Sequence, residues 1–121
     1  MNSRARRRSA EQYGRDAEQA VLATWQRRGF DVLAQRQRTK LGEIDLVVAN
    51  QDLLVFVEVK ARKSFSEAAY AVAPRQQARL LQAAESLLAE NEAWNRSSIR
   101  FDVALVCNGV IEHIEDAIRY H

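Results

Sequence analysis

The stretch Leu53-Leu54-Val55-Phe56-Val57-Glu58-Val59-Lys60 constrains the fold more than any other part of the chain. It is apolar without a break as far as Glu58, so a strand made from it must be covered on both faces, as a central strand between helices is. Period-two alternation sets Leu54, Phe56, Glu58 and Lys60 on one face and Leu53, Val55, Val57 and Val59 on the other. Two charges at the end of such a strand are costly to desolvate without a partner, a metal or access to water. In the preceding strand, Glu43, Asp45 and Val47 share one face and Ile44, Leu46 and Val48 the other. The turn-like Ala49-Asn50-Gln51-Asp52 joins the two. With Gln51-Asp52 as a two-residue loop, Asn50 faces Leu53, which sets Asp45 opposite Glu58 and Glu43 opposite Lys60. Directly opposed Cβ atoms lie about 4.5 to 5.5 Å apart.

Two carboxylates so placed repel unless something cationic lies between them, and a hard divalent ion with oxygen ligands meets that need. Mg²⁺ or Mn²⁺ is the expected cofactor, held by Asp45, Glu58 and the carbonyl of Val59, because Mg²⁺ keeps several waters and asks for few protein ligands. Lys60, on the face of Glu58, is placed to orient a water activated by the metal or to offset charge on a phosphate. The alternative is structural: these are edge charges that cross-pair and discourage aggregation.

The rest of the chain supplies elements on either side. Residues 9 to 28 have helical spacing, with Ser9 and Gln12 as a capping box, Gly29 as the stop, and Tyr13, Ala17, Ala20, Val21 and Trp25 as the buried face. Glu18 sits at the edge of that stripe. Phe30 to Arg36 is expected as a first strand, followed by a polar link with Arg38, Thr39 and Lys40. A loop ends at Pro74, and a second helix runs from about Arg75 to Glu92 on a stripe of Leu80, Leu81, Ala84, Leu87 and Leu88. Ile99 to Cys107 and Val110 to Ile114 are strands joined by Asn108-Gly109, a strong hairpin signal. The expected fold is α/β, a central mixed sheet flanked by helices in the order αβββαββ, as one domain over residues 9–121 behind a flexible basic arm, residues 1–8. Trp25 is expected in the core and Trp94 at a helix end, while Tyr70 is undecided between base stacking and packing.

Charge points to a polyanion. Residues 1–40 hold ten Lys/Arg against four Asp/Glu, a local balance of +6 that leaves −4 for the remainder of a chain whose net charge is +2. Arg4, Arg6, Arg7 and Arg8 make the front end suited to phosphate. Cys107 is the single cysteine and the histidines are only His113 and His121, so a Cys/His zinc site and a Cys–His nucleophile pair drop out. No apolar run is long enough for a bilayer, and no signal-peptide core follows the basic start, so the cytoplasm is the expected compartment and no membrane partner is expected.

Gly42-Glu43-Ile44-Asp45-Leu46-Val47, Val55-Phe56-Val57-Glu58-Val59-Lys60-Ala61-Arg62 and Arg100-Phe101-Asp102-Val103 resemble the YraN family of small bacterial proteins over about Gly14 to Ala117. That family is similar to the restriction-endonuclease-like superfamily, whose signature is Asp, a variable gap and Glu-x-Lys, and to archaeal Holliday-junction resolvases. The resemblance implies a restriction-endonuclease-like fold and a metal-dependent nuclease acting on DNA rather than RNA, with branched or structured DNA among its substrates. It makes Asp45 and Glu58 the metal ligands, Lys60 the catalytic lysine and Glu18 an accessory acid. Glu43 and Asp102 match family motifs whose roles can equally be structural. Arg36 stands where the family commonly has Asn, and Gln76 where it has a lysine, which shifts any phosphate grip to Arg75 or Arg79. Arg36, Arg38, Lys40, Arg62 and Arg75 join the basic arm as expected nucleic-acid contacts, and a homodimer is a candidate assembly because resolvase-like folds often dimerise. The rival expectation is a nucleic-acid-binding or scaffolding protein that keeps the fold without turnover.

Overall fold

The computed structural model describes residues 3–66 and 74–119, the first seven of these by their backbone alone. The described elements are α1 (Ser3–Arg27), β1 (Asp31–Thr39), β2 (Gly42–Ala49), β3 (Leu53–Ala61), α2 (Pro74–Glu90), a short 3₁₀ turn (Glu92–Trp94), β4 (Ser98–Cys107) and β5 (Val110–Ile114). The five strands form one mixed sheet in sequence order, antiparallel except for the parallel β3–β4 pair that α2 connects. This is the α/β, αβββαββ arrangement of a restriction-endonuclease-like domain.

The β3 strand is the central strand its composition requires, and each face is closed by one helix. On one side Ala17, Val21 and Trp25 of α1 pack on Leu46, Val48, Val55, Val57, Ala104 and Val106. On the other, Leu80, Leu81, Ala83, Ala84 and Leu87 of α2 pack on Ile44, Val47, Ala49, Leu54, Phe56, Phe101 and Leu105. Trp25 is fully buried, edge-on to Phe30 at 4.7 Å and with the Arg28 guanidinium 4.4 Å above its ring. Trp94 is partly buried against the α2-side core. Among the described residues no helix is long and apolar enough to cross a membrane.

Two boundaries and one alternation differ from the sequence expectation. The α1 helix starts at Ser3, not Ser9, because Arg and Ala are good helix formers and nothing before Ser9 stops the turn. Gln12 accordingly does not serve a capping box: its amide donates to Asp16 at 2.8 Å. β1 continues through Arg38 and Thr39, residues too polar to read as a strand, because they pair with Glu43 and Gly42 along an edge. Strict alternation fails in β2, where Ile44 joins Val47 and Ala49 under α2 while Leu46 and Val48 face α1. The slip falls at Asp45. Beside it in β1 stands Arg36 with φ +47, a left-handed residue between the Gln35–Leu46 and Gln37–Ile44 pairs that rotates the strand at this point. Tyr70 lies outside the described residues.

Candidate functional site

The β2–β3 hairpin has the register its turn predicts. The Asn50 amide donates to the Leu53 carbonyl at 3.0 Å, and Asn50 Oδ1 accepts from the Asp52 and Leu53 amides at 3.0 and 2.8 Å, an Asx-type turn. Pairing then runs from Ala49–Leu54 to Leu46–Val57 and stops. Asp45 and Glu58 are next in register, at the point where the strands part. There Asp45 Oδ2 accepts the Val59 amide at 2.8 Å. A carboxylate has taken the place of a ladder carbonyl, and this opens the gap. An extended residue turns its N–H and C=O to the same side of its strand, so the Val59 carbonyl faces the same gap.

Glu58 is 6% exposed. One of its oxygens, Oε1, accepts from the Lys60 ammonium at 3.0 Å. The other, Oε2, is buried without a hydrogen-bond partner, although buried polar atoms are rarely left so. Burial first, and then the charge of Glu58, push the Asp45 carboxyl up to about 8; the Val59 amide pulls the other way, while a hydrogen bond with Glu58 and the charge of Glu18 add to the rise. Near neutral pH the metal-free Asp45–Glu58 pair therefore retains a proton, held on the Asp45 side. The two acids converge closely enough to share a hydrogen bond through that proton, and a cation that replaced the proton would find oxygens of both carboxylates in reach.

Glu18 lies on α1 close enough to raise Asp45, but Arg36 holds its carboxylate at 2.7 Å. Among the described residues no group of three or more His, Cys, Asp or Glu is placed to hold a metal. The donor set is thus two carboxylates and a carbonyl, which suits Mg²⁺ or Mn²⁺, ions that retain water and accept oxygen ligands. The cross-pairing of Glu43 with Lys60 does not occur. With the ladder ended at Leu46–Val57, Lys60 turns to Glu58 on its own strand, and Glu43 reaches Arg38 at 3.8 Å.

The basic residues fall in two groups. Arg36, Arg38 and Lys40 follow one another along β1 and its turn beside the site. Arg62 and Arg75 are exposed at the exit of β3 and the start of α2. The side chains of Arg4, Arg6, Arg7 and Arg8 lie outside the described residues; their backbone is in α1. Sequence reasoning misses one arrangement and, for Asp102, expects a structural role without naming its partners. The Tyr13 hydroxyl donates to the Arg62 carbonyl at 3.2 Å and accepts the Asn108 amide at 2.8 Å, tying α1 to the exit of β3 and to the β4–β5 turn. Asp102, fully buried, takes two bonds from Arg100 at 2.8 and 2.9 Å, one from His113 Nε2 at 2.8 Å and one from the Asp116 amide at 2.9 Å. Burial pushes Asp102 up, but His113 and Arg100 outweigh it and hold the carboxyl below its ordinary value. The signal available for this second network is the period-two spacing of Arg100 and Asp102 on one strand face.

Comparison with known proteins gives a family but no activity. The family described as Uncharacterised protein family UPF0102 matches residues 17–106. A UPF0102 protein of Acidiphilium cryptum is 51% identical over 115 residues, 95% of this chain and 90% of its own length. One from Rhodopseudomonas palustris is 43% identical over 105 residues, 86% of this chain and 81% of its own. A third, from Bradyrhizobium diazoefficiens, is 45% identical over 93 residues, 77% of this chain and 70% of its own. Asp45, Glu58 and Lys60 all fall inside the matched region, and the chain belongs to the UPF0102 family, the YraN family its motifs resemble.

Proposed function

We propose that this protein is a metal-dependent nuclease that hydrolyses phosphodiester bonds in DNA, with branched or structured forms the first substrates to test. The observation that carries the reading is the gap at the end of the β2–β3 ladder, where the buried carboxyls of Asp45 and Glu58 converge beside Lys60. Asp45, Glu58 and the Val59 carbonyl would hold Mg²⁺ or Mn²⁺. Such an ion, when bound, supplies positive charge to a phosphoryl oxygen and makes water more acidic. Hydrolysis joins a water oxygen to phosphorus and breaks one phosphorus–oxygen bond to a sugar. Lys60, steadied by Glu58, presents its ammonium where negative charge builds on the phosphate. Arg36, Arg38 and Lys40 on one side, and Arg62 and Arg75 on the other, supply phosphate contacts away from the scissile bond.

A nucleic-acid-binding protein without turnover is the second reading. It is favoured by the Arg36–Glu18 ion pair, which draws off the third acid, and by Gln76 where the family has lysine. Incubating the protein with linear, flapped and four-way-junction DNA in Mg²⁺, Mn²⁺ or EDTA decides between the readings. Cleavage that requires metal and disappears in Lys60→Ala supports the nuclease; retention of the DNA on a gel without cleavage supports the binder. Metal loading must expel the proton held by Asp45, so affinity rises with pH. The upward shift of the melting temperature produced by Mn²⁺ should therefore be several-fold smaller at about pH 6.5 than at about pH 8.5, and a pH-independent shift would place the ion elsewhere.

A further inference from the structure

The turn between β1 and β2 carries an apolar side chain that neither core uses. Thr39 pairs with Gly42, which leaves Lys40-Leu41 as a two-residue tip. Leu41 is 42% exposed and belongs to neither hydrophobic cluster. The tip is held in place from within: Thr39 Oγ1 accepts the Leu41 amide at 3.1 Å and donates to the Gly42 carbonyl at 2.8 Å. A leucine fixed at the end of a hairpin, rather than on a loose loop, needs little further ordering to enter a partner. Lys40 is exposed beside it; the Arg38 side chain, one pair back, is 89% exposed with Glu43 3.8 Å away, and Arg36 is held by Glu18 at 2.7 Å, so Lys40 and Arg38 are the cations the tip presents.

We infer that Leu41 is a wedge that enters a base step of the nucleic acid while Lys40 and Arg38 hold the flanking phosphates. This rests on the nucleic-acid reading above and adds how the substrate is opened. The composition of the tip selects the partner. Lysine is depleted from the apolar cores of protein interfaces, and one leucine covers too little area to hold a second protein. Proteins that kink DNA, by contrast, place a single apolar side chain between base pairs with cations beside it. The position fits as well. Leu41 precedes Asp45 by four residues along β2, a span of about 13 Å at strand rise, or about four stacked base steps. A wedge at that distance unstacks DNA near the Asp45–Glu58 gap without occupying it, and branched or gapped DNA, already unstacked at one point, accepts it at least cost.

The test uses the full chain with duplex, gapped and four-way-junction DNAs that carry 2-aminopurine at successive positions, in Ca²⁺ or EDTA so that binding is read without cleavage. Wild-type protein should brighten the probe about threefold or more at one step, as unstacking requires. Leu41→Ala should remove that brightening at saturating protein and weaken binding about tenfold, with an unchanged melting temperature because the side chain is exposed. Lys40→Ala should weaken binding and reduce its salt dependence by about 0.9 in slope per lost contact while keeping the brightening. Equal brightening by wild type and Leu41→Ala, or tight binding by wild type with no brightening at any position, overturns the wedge and leaves the nucleic-acid reading standing. Failure of the wild type to bind any of these DNAs overturns both.

Discussion

Asp45→Asn is expected to abolish metal-dependent cleavage and at the same time to make the metal-free protein more stable above neutral pH. The sign follows from the direction of the shift. The folded protein holds the Asp45 proton up to about pH 8, whereas an unfolded chain releases it near the ordinary aspartate value of about 3.9. Between those values the folded state binds more protons, so its stability falls as pH rises. Each pH unit of that window corresponds to about 1.4 kcal/mol, and even partial relief makes a gain of about 1–3 kcal/mol reasonable for the neutral amide. Asn keeps an oxygen for the Val59 amide and adds a donor toward Glu58. Thermal melts from pH 5 to 9 in EDTA check this: the wild-type curve should decline with pH and the curve of the Asp45→Asn variant should be flatter. A variant less stable than wild type at pH 8 would mean that Asp45 is a salt-bridging residue and not half of a cation site.

Glu58→Gln should behave differently, although both acids serve the same gap. Glu58 is the partner of Lys60, itself mostly buried, and removing its charge leaves an ammonium without compensation. Loss of stability of about 1–3 kcal/mol is expected, together with loss of cleavage. Sequence alone treats the two carboxylates as equivalent. The lysine's choice of partner breaks that symmetry.

Asp102→Ala should be strongly destabilising while leaving the metal response intact. It leaves partly buried His113 without its carboxylate and Arg100 with Glu115 alone at 3.7 Å, at a cost of about 2–3 kcal/mol, or a melting temperature about 10 °C lower. Because its carboxyl lies below the ordinary value, the network's contribution is present above the unfolded aspartate pKa and is lost as pH falls through the folded one. Asp102→Asn, which can still accept hydrogen bonds, should lose less. Urea unfolding measures both variants, and Mn²⁺ titration of Asp102→Asn separates the two acids: Asp102 is in the strand beside Val57, so an abolished metal shift would move it from scaffold into the site.

The sequence was most legible where one local rule acted alone. Asn50 set the hairpin register, Asn108-Gly109 set the β4–β5 turn, and the apolar run of β3 announced a strand covered on both sides. What it could not give were features decided by two segments at once. Alternation in β2 failed at Asp45 because Arg36, a neighbour across the sheet rather than along the chain, adopts a left-handed backbone. Arg38 and Thr39 looked like a link because an edge strand needs no apolar face of its own. Glu18 faces the site region, yet its partner was decided by Arg36. The carboxylates could be paired on paper, but the place where the ladder stops depends on a side chain replacing a backbone group, which no periodicity encodes.

The arrangement of the α1-side core also fixes the order in which the chain can mature. Ala17, Val21 and Trp25 emerge early during synthesis, and the β1–β3 meander supplies Leu46, Val48, Val55 and Val57 within the next few dozen residues. Ala104 and Val106, which complete that face, follow far later in the chain. At translation speeds of about 5–20 residues per second, the greasy side of α1 waits several seconds on the ribosome for its last cover. Until β4 arrives, that face is open to chaperones and to misassociation, and β4 is the strand that closes it.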